Sequence, residues 1–272
     1  MNNVFDFKRF GNYFLYDLRC ARNNYGLSLL ILGGMPLIVF VFAVLTSLVF
    51  THQVDEMNSM LKILSMWIPI VIVLLGAGTK LYGRLTEKRA GSDFLMLPAS
   101  TLEKWLSMVL VVCIVLPIIL FALFFICDTL LGLLLPNIYG ERVFASAAFT
   151  SLMGSNPFSW MGEGDPLFIN FPAMTFLNWC VNILVFTLGA VCFKKSKVAK
   201  TLLCLFGLSV IFSFAAMILF GTANLDLDWF EDHFNDPDRL ESSINWTISL
   251  VFTFVIGGLL AGLWYRLRTL KH

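Results

Sequence analysis

The residues best suited to chemistry lie in one stretch, Leu81 to Trp105, which reads LYGRLTEKRAGSDFLMLPASTLEKW. Its first part is basic and polar, and Gly91 separates that part from a compact apolar block at residues 94–97 that is closed by Pro98. The chemistry that this pattern favours is binding, because consecutive apolar side chains on a charged loop have no core of their own to fill. We therefore expect the stretch to dock on a partner.

Two capping signals divide the stretch into helices. Ser92 can cap the start of a short helix, Asp93 suits the positive end of its dipole, and Pro98 marks its end. Ser100 followed by Glu103 matches the capping box, in which each side chain accepts a hydrogen bond from the other residue's backbone N–H. The sequence thus predicts a short helix before Pro98 and a longer helix that begins just after Ser100.

The chain lacks the residue patterns that catalysis would need. It has no G-x-x-x-x-G-K-[ST] phosphate loop, so ATP hydrolysis by that route requires another polypeptide. Its three histidines lie in loops or at the end, which leaves no base for an intramembrane serine protease and no H-E-x-x-H zinc motif. Its six cysteines lack C-x-x-C spacing and are typical of packing residues. We expect no enzymatic activity, metal or cofactor in this chain itself.

The rest of the chain is dominated by long apolar runs. Hydrophobic residues make up 58% of the 272 residues and charged residues 14%, which excludes a soluble domain of this size. A run of about 20 apolar residues crosses a bilayer core as one helix. Charges are missing from the run centres, which disfavours a proton- or sodium-driven carrier. The predicted fold class is an all-α integral membrane protein with six transmembrane helices, at 27–50, 61–82, 105–127, 171–193, 201–221 and 244–264.

The charge distribution predicts the orientation of these spans. If the N-terminus is cytoplasmic, 16 of the 19 basic residues lie inside, and only Lys62, Arg142 and Arg239 lie outside. Of the 18 acidic residues, 13 then lie outside. The near-neutral total of +1 therefore combines an inner side of +11 with an outer side of −10. We expect both termini in the cytoplasm.

The N-terminal segment 1–26 has an amphipathic pattern. Phe7, Phe10, Phe14 and Leu18 share one side of a helix, which favours a helix lying in the inner membrane interface. An ordinary juxtamembrane anchor explains the same pattern.

Two loops are predicted on the outer side, at 136–170 and 222–243. The second loop is strongly acidic, and a solvated loop explains it better than a calcium site because the order of its carboxylates does not match an EF-hand. Bends are predicted within the first three spans, at Gly33, Gly34 and Pro36, at Pro69, and at Pro117.

Six spans, an amphipathic N-terminal helix, no ATPase domain and the segment GSDFLMLPASTLEKWLS at 91–107 together resemble the permease subunits of type-2 ABC exporters. In that family a basic segment precedes a Gly-[ST]-x-x-x-L-x-L-Pro-x-[ST]-like stretch that leads into the third span. This chain supplies matching residues at Gly91, Ser92, Leu95, Leu97, Pro98, Ala99, Ser100, Glu103 and Lys104. The outer insertion departs from the family, which usually carries it before the sixth span.

The resemblance implies a cytoplasmic coupling loop at 81–104 whose short coupling helix docks on a separate ATPase subunit. That ATPase would hold the ATP and magnesium, and two permeases would work with two ATPases in the cytoplasmic (inner) membrane. The docking residues it implies are Arg84, Glu87, Lys88, Arg89, Ser92, Asp93, Phe94, Leu95, Met96 and Pro98.

A non-transport reading fits the same stretch. A membrane scaffold or sensor subunit could bind a different cytoplasmic partner through residues 84–98. For a transporter, spans without central charges favour a lipidic or amphipathic substrate over small ions.

Overall fold

The structure is a computed structural model that describes residues 5–50, 52, 56–86, 96–146, 171–222 and 237–269. Every regular element among these residues is helical. The ten α-helices are α1 (Phe7–Ala21), α2 (Leu27–Gly33), α3 (Met35–Phe50), α4 (Ser59–Tyr82), α5 (Thr101–Leu110), α6 (Leu116–Leu134), α7 (Pro136–Tyr139), α8 (Phe171–Cys192), α9 (Lys197–Thr222) and α10 (Pro237–Thr269). Short π-helical turns at Arg22–Gly26 and Val111–Val115 and 3-10 turns at Gly83–Thr86 and Val143–Ala145 link them.

Within the part of the chain that the structure describes, five helical stretches are long and apolar enough to cross a membrane: Ser59–Thr86, Thr101–Leu134, Met174–Cys192, Lys197–Ala215 and Trp246–Thr269. A sixth candidate is the pair Phe7–Gly33 and Met35–Phe50, whose two parts meet at a bend of 40°. The chain therefore has the helices of a multi-pass membrane protein, five or six in number. All six predicted spans overlap these stretches.

The predicted bend in the first span lies at Gly34. Pro36 has no N–H to donate to the preceding turn, so the regular bonding pattern is interrupted there. Gly33 is needed for packing, because an added Cβ would lie 2.5 Å from Cδ1 of Leu123 on α6. In the third span a π-helical turn precedes Pro117, and the Leu116 N–H bonds to the Val111 carbonyl oxygen. By contrast, α4 runs through Pro69 as one helix.

The N-terminal helix α1 is continuous with the start of the first predicted span. It runs through the π-helical turn into α2, and the break in the helix comes only at Gly34. The face of α1 buried against the protein is not the aromatic one. Tyr13 and Asp17 are buried, whereas Phe7 is exposed.

The core is organised around α8. This helix packs mainly against α4, with α10 and α9 on its other sides. An added Cβ at Gly78 would lie 2.8 Å from Cα of Thr187, so glycine permits the close approach of α4 and α8. Buried apolar side chains surround this crossing, including Val73, Ala77 and Ile183. Long stretches of α9 and α10 are exposed, as expected of helices that face lipid.

Helix ends from distant parts of the chain meet at one end of the bundle. Lys197 Nζ donates to the Gly83 carbonyl oxygen, and Trp105 Nε1 donates to the Leu260 carbonyl oxygen at 3.1 Å. Arg266 Nε lies 3.5 Å from the Val191 carbonyl oxygen. Following the predicted topology, we name this the inner end, and the opposite end of the bundle the outer end.

Helices extend into the predicted loops at 81–104 and 222–243. The segment 81–104 begins within α4 and ends within α5, whose first turn is capped by Ser100. The segment 222–243 includes the start of α10, which begins at Pro237, a residue favoured at first helical positions. The start of segment 136–170 contains α7 and a 3-10 turn, and residues 147–170 lie outside the described residues.

Candidate functional site

The candidate site is the inner-end segment between α4 and α5, together with the part of α1 that contacts it. The predicted capping box at the start of α5 is confirmed. The Glu103 N–H donates to Ser100 Oγ at 3.3 Å, and the Ser100 N–H donates to Glu103 Oε2 at 2.8 Å. These two bonds fix the C-terminal end of the segment to the first turn of the third span.

Glu103 also binds α1. Arg9 donates to both carboxylate oxygens, from Nη2 to Oε1 at 2.7 Å and from Nε to Oε2 at 2.9 Å. The Asp6 N–H donates to Oε1 at 3.0 Å. The Glu103 side chain is fully inaccessible to solvent, whereas that of Arg9 is one-third exposed. A forked pair of this kind fixes orientation as well as distance, so α1 is held in register with the start of α5.

A second buried carboxyl group, that of Asp17 on α1, binds two other helices. Asp17 Oδ2 accepts hydrogen bonds from Ser107 Oγ at 2.6 Å and from the Tyr82 hydroxyl at 3.0 Å. The two donors belong to α5 and to the last turn of α4. Asp17 therefore joins three helices. We call Arg9, Asp17, Tyr82, Glu103 and Ser107 the inner-end cluster.

The structure describes three of the ten predicted docking residues. Arg84 is exposed on the 3-10 turn after α4, Met96 is 82% exposed, and Pro98 is also exposed. Glu87, Lys88, Arg89, Ser92, Asp93, Phe94 and Leu95 lie outside the described residues.

The segment changes from exposed to buried over a few residues. Leu97 is half-buried and Ala99 is buried, so the chain enters the protein body directly after the exposed Met96 and Pro98. The exposed apolar residues are therefore carried on a firmly attached base.

A groove of about 440 Å³ lies beside these residues, between the segment and α1. We call it the inner groove. Leu97, Pro98 and Ala99 form one wall, and polar and aromatic α1 residues such as Asn12 and Tyr16 form the other. The groove thus offers a concave surface next to the exposed Met96.

Sequence reasoning missed the α1 half of this site. Arg9, Tyr13 and Asp17 are spaced four residues apart and share one helix face, which is the face that packs against α5. The sequence pattern indicated the aromatic side of the helix instead. On that side, Phe10 and Phe14 stack on each other with ring centroids 5.9 Å apart. The signal that could have found the site was the four-residue spacing of Arg9, Tyr13 and Asp17 along one side of the N-terminal helix.

The outer end carries a separate polar cluster. Asp128 is only 1% exposed. Its Oδ1 accepts hydrogen bonds from the Tyr139 hydroxyl at 2.6 Å and from the Val143 N–H at 3.0 Å. Its Oδ2 accepts a hydrogen bond from the Phe144 N–H at 3.1 Å. Lys62 Nζ lies 4.7 Å from the centroid of the Tyr139 ring. We call Lys62, Asp128, Tyr139, Val143 and Phe144 the outer-end cluster; its bonds attach the outer loop to the end of α6.

Within the described residues, no group of three or more His, Cys, Asp or Glu side chains could hold a metal ion. Comparison with known proteins gives no further guidance, since no family model, curated protein or solved structure matches the chain.

Proposed function

We propose that this chain is the transmembrane permease subunit of an ATP-driven ABC exporter and works with a separate ATPase subunit. The observation that carries the proposal is the construction of the segment before α5. Met96 and Pro98 are exposed, while the residues that follow are fixed to α1 and α5 through Glu103. An exposed apolar patch on a firmly attached base is suited to receiving force from a partner.

The bonds of the inner-end cluster define where such a force would travel. A movement of the segment acts on the first turn of α5 through Ser100 and Glu103. It acts on α1 through Arg9, and on the end of α4 through Asp17 and Tyr82. Because α5 and α6 together form the third span, a shift at the segment reaches the membrane region directly.

The inner groove supplies a second contact surface for the same partner. It lies beside Pro98 and combines apolar walls with charged residues of α1, including Lys8. An ATPase that seats an apolar residue beside Met96 would therefore also contact α1. In this proposal the ATPase holds ATP and magnesium, a second permease copy completes the transporter in the inner membrane, and the substrate is lipidic or amphipathic.

A scaffold or sensor subunit remains the second candidate. The exposed Met96 and the inner groove are equally suited to binding the partner of a scaffold or sensor, because a docking surface does not itself specify the activity of the bound protein. The identity of the partner distinguishes the two: an exporter requires a partner with a phosphate loop that hydrolyses ATP.

The test is purification of the tagged full-length chain from native membranes in mild detergent, followed by identification of co-eluting proteins and measurement of Mg-ATP hydrolysis. Met96→Asp and Phe94→Asp should each reduce recovery of the ATPase about a hundredfold, since a charge would be buried unpaired at the interface. Lys88→Ala is the matched control in the same segment, where an exposed charge has little effect.

A co-eluting ATPase that is lost from Met96→Asp but retained by Lys88→Ala supports the exporter. Stable capture of a partner without a phosphate loop through the same residue supports the scaffold. Wild-type recovery of the ATPase with Met96→Asp contradicts docking at this segment.

A further inference from the structure

A second groove, of about 270 Å³, lies between the N-terminal helix and the third span. Both helices run in the same direction there, because Asp17 bonds to Ser107 near one end of the groove and Gly33 contacts Leu123 at the other. The helices thus touch at both ends and leave a groove between these contacts. We call it the helix-pair groove.

Two irregular turns face each other across the helix-pair groove. The π-helical turn Arg22–Gly26 contributes lining residues from one side, and the π-helical turn Val111–Val115 contributes them from the other. A π-helical turn adds a residue to the helical repeat and shifts the side chains that follow it, and such turns often occur at functional sites. The groove is therefore built by the backbone of both helices rather than left by one small side chain.

The dimensions of the groove match one leaflet of a bilayer. Its lining runs from Leu18 to Leu30 on one helix and from Val111 to Leu123 on the other, and Leu81 of α4 adds one further side chain. Twelve residues of helix correspond to about 18 Å, and half of a bilayer core is about 15 Å thick. A single acyl chain that extends from the membrane surface toward the midplane would fit along it.

The charge of the groove indicates which end holds the headgroup. Among the described residues that line the groove, Arg22 is the one charged residue and none is acidic, and the others are apolar apart from Tyr25 and Gly26. Arg22 lies near the inner end, five residues after Asp17, which bonds to Ser107. Its guanidinium group can bind a phosphate through two parallel hydrogen bonds, and no lining carboxylate competes for it.

We propose that the helix-pair groove binds one anionic glycerophospholipid, with its phosphate on Arg22 and one acyl chain against Leu29, Val115 and Leu116. The lipid fills the space between the N-terminal helix and the third span. It therefore binds the same two helices that the inner-end cluster holds together. This site does not depend on the partner proposed above, because none of the docking residues that the structure describes lines the helix-pair groove.

The test is native mass spectrometry of the delipidated full-length chain in detergent, titrated with phosphatidylglycerol or with phosphatidylcholine of identical acyl chains. The wild type should bind one phosphatidylglycerol molecule saturably and several-fold more tightly than phosphatidylcholine. Arg22→Ala should weaken phosphatidylglycerol binding about fivefold, whereas Arg22→Lys should retain most of it. Arg268→Ala, which removes an exposed cation outside the groove, is the matched control and should bind as the wild type does.

Ala21→Trp places a large ring into the groove and should abolish saturable binding of both lipids while Arg22 remains. Size-exclusion elution and thermal unfolding of each variant establish whether it is folded. Arg22 is exposed, so the Arg22→Ala variant tests the proposal even if Ala21→Trp does not fold. Equal affinity of the wild type for the two lipids, or unchanged phosphatidylglycerol binding by Arg22→Ala, would overturn the proposal.

Discussion

Asp17 and Asp128 are both buried carboxyl groups that accept several hydrogen bonds, yet they connect different parts of the chain. Asp17 receives hydrogen bonds from Tyr82 and Ser107, which are 65 and 90 residues away in the chain. Asp128 receives its hydrogen bonds from Tyr139, Val143 and Phe144, which are 11 to 16 residues away. Asp17 thus holds distant helices together, whereas Asp128 fixes a loop to the helix that precedes it.

The two groups also differ in the oxygens they use. Both donors to Asp17 bind the same oxygen, Oδ2. The three donors to Asp128 are divided between Oδ1 and Oδ2. An asparagine has only one acceptor oxygen in its side chain, so it can replace the function of Asp17 but not that of Asp128.

The largest effect is expected for Asp17→Ala. The change removes both acceptor interactions and leaves the Tyr82 and Ser107 hydroxyl groups buried without that partner. We expect the free energy of unfolding to fall by about 2–4 kcal/mol, measured by denaturant titration of the detergent-solubilised chain. Asp17→Asn is the control and should lose less than half as much. Equal losses for the two variants would show that Asp17 acts through its charge and not through one acceptor oxygen.

Asp128→Asn provides the opposite test. One of its two bonded oxygens becomes an NH2 group that faces a donor, so at least one bond to Tyr139, Val143 or Phe144 is lost. We expect amide hydrogen exchange at residue 143 or residue 144 to accelerate about tenfold while the unfolding of the helices changes little. Protection of these amides at the wild-type level would contradict the division of donors between the two oxygens.

Features that depend on neighbouring residues could be predicted from the sequence. The long apolar runs indicated the spans, and Gly33, Gly34 and Pro36 indicated the bend at Gly34. The spacing of Ser100 and Glu103 indicated the capping box. Each of these patterns lies within a few helical turns. Within the predicted apolar block at 94–97, Met96 is exposed and Leu97 is half-buried.

The contacts that attach α1 could not be predicted in this way. Arg9 is 94 residues from Glu103, and Asp17 is 90 residues from Ser107, so no local pattern links the partners. Hydrophobic periodicity identified only the aromatic side of α1, whereas the side that packs against protein carries Arg9 and Asp17. The buried face of such a helix is set by its partners rather than by its apolar side.

The smallest effect is expected from removing a single tyrosine hydroxyl at each end. Tyr82→Phe leaves Asp17 with the Ser107 donor, whereas Tyr139→Phe leaves Asp128 with the Val143 and Phe144 backbone donors. The aromatic ring of Tyr139, whose centroid lies 5.7 Å from that of Phe40, keeps its packing in the phenylalanine variant. Each change should cost about 0.5–1.5 kcal/mol in the free energy of unfolding, and Tyr82→Phe should cost more because its carboxyl group keeps fewer donors. Denaturant titration of the two variants and of the double variant measures both costs. Their sum should equal that of the double variant, since the two clusters share no residue. A larger cost for Tyr139→Phe would mean that the local bonds of the outer end contribute more to the stability of the bundle than the long-range bonds of the inner end.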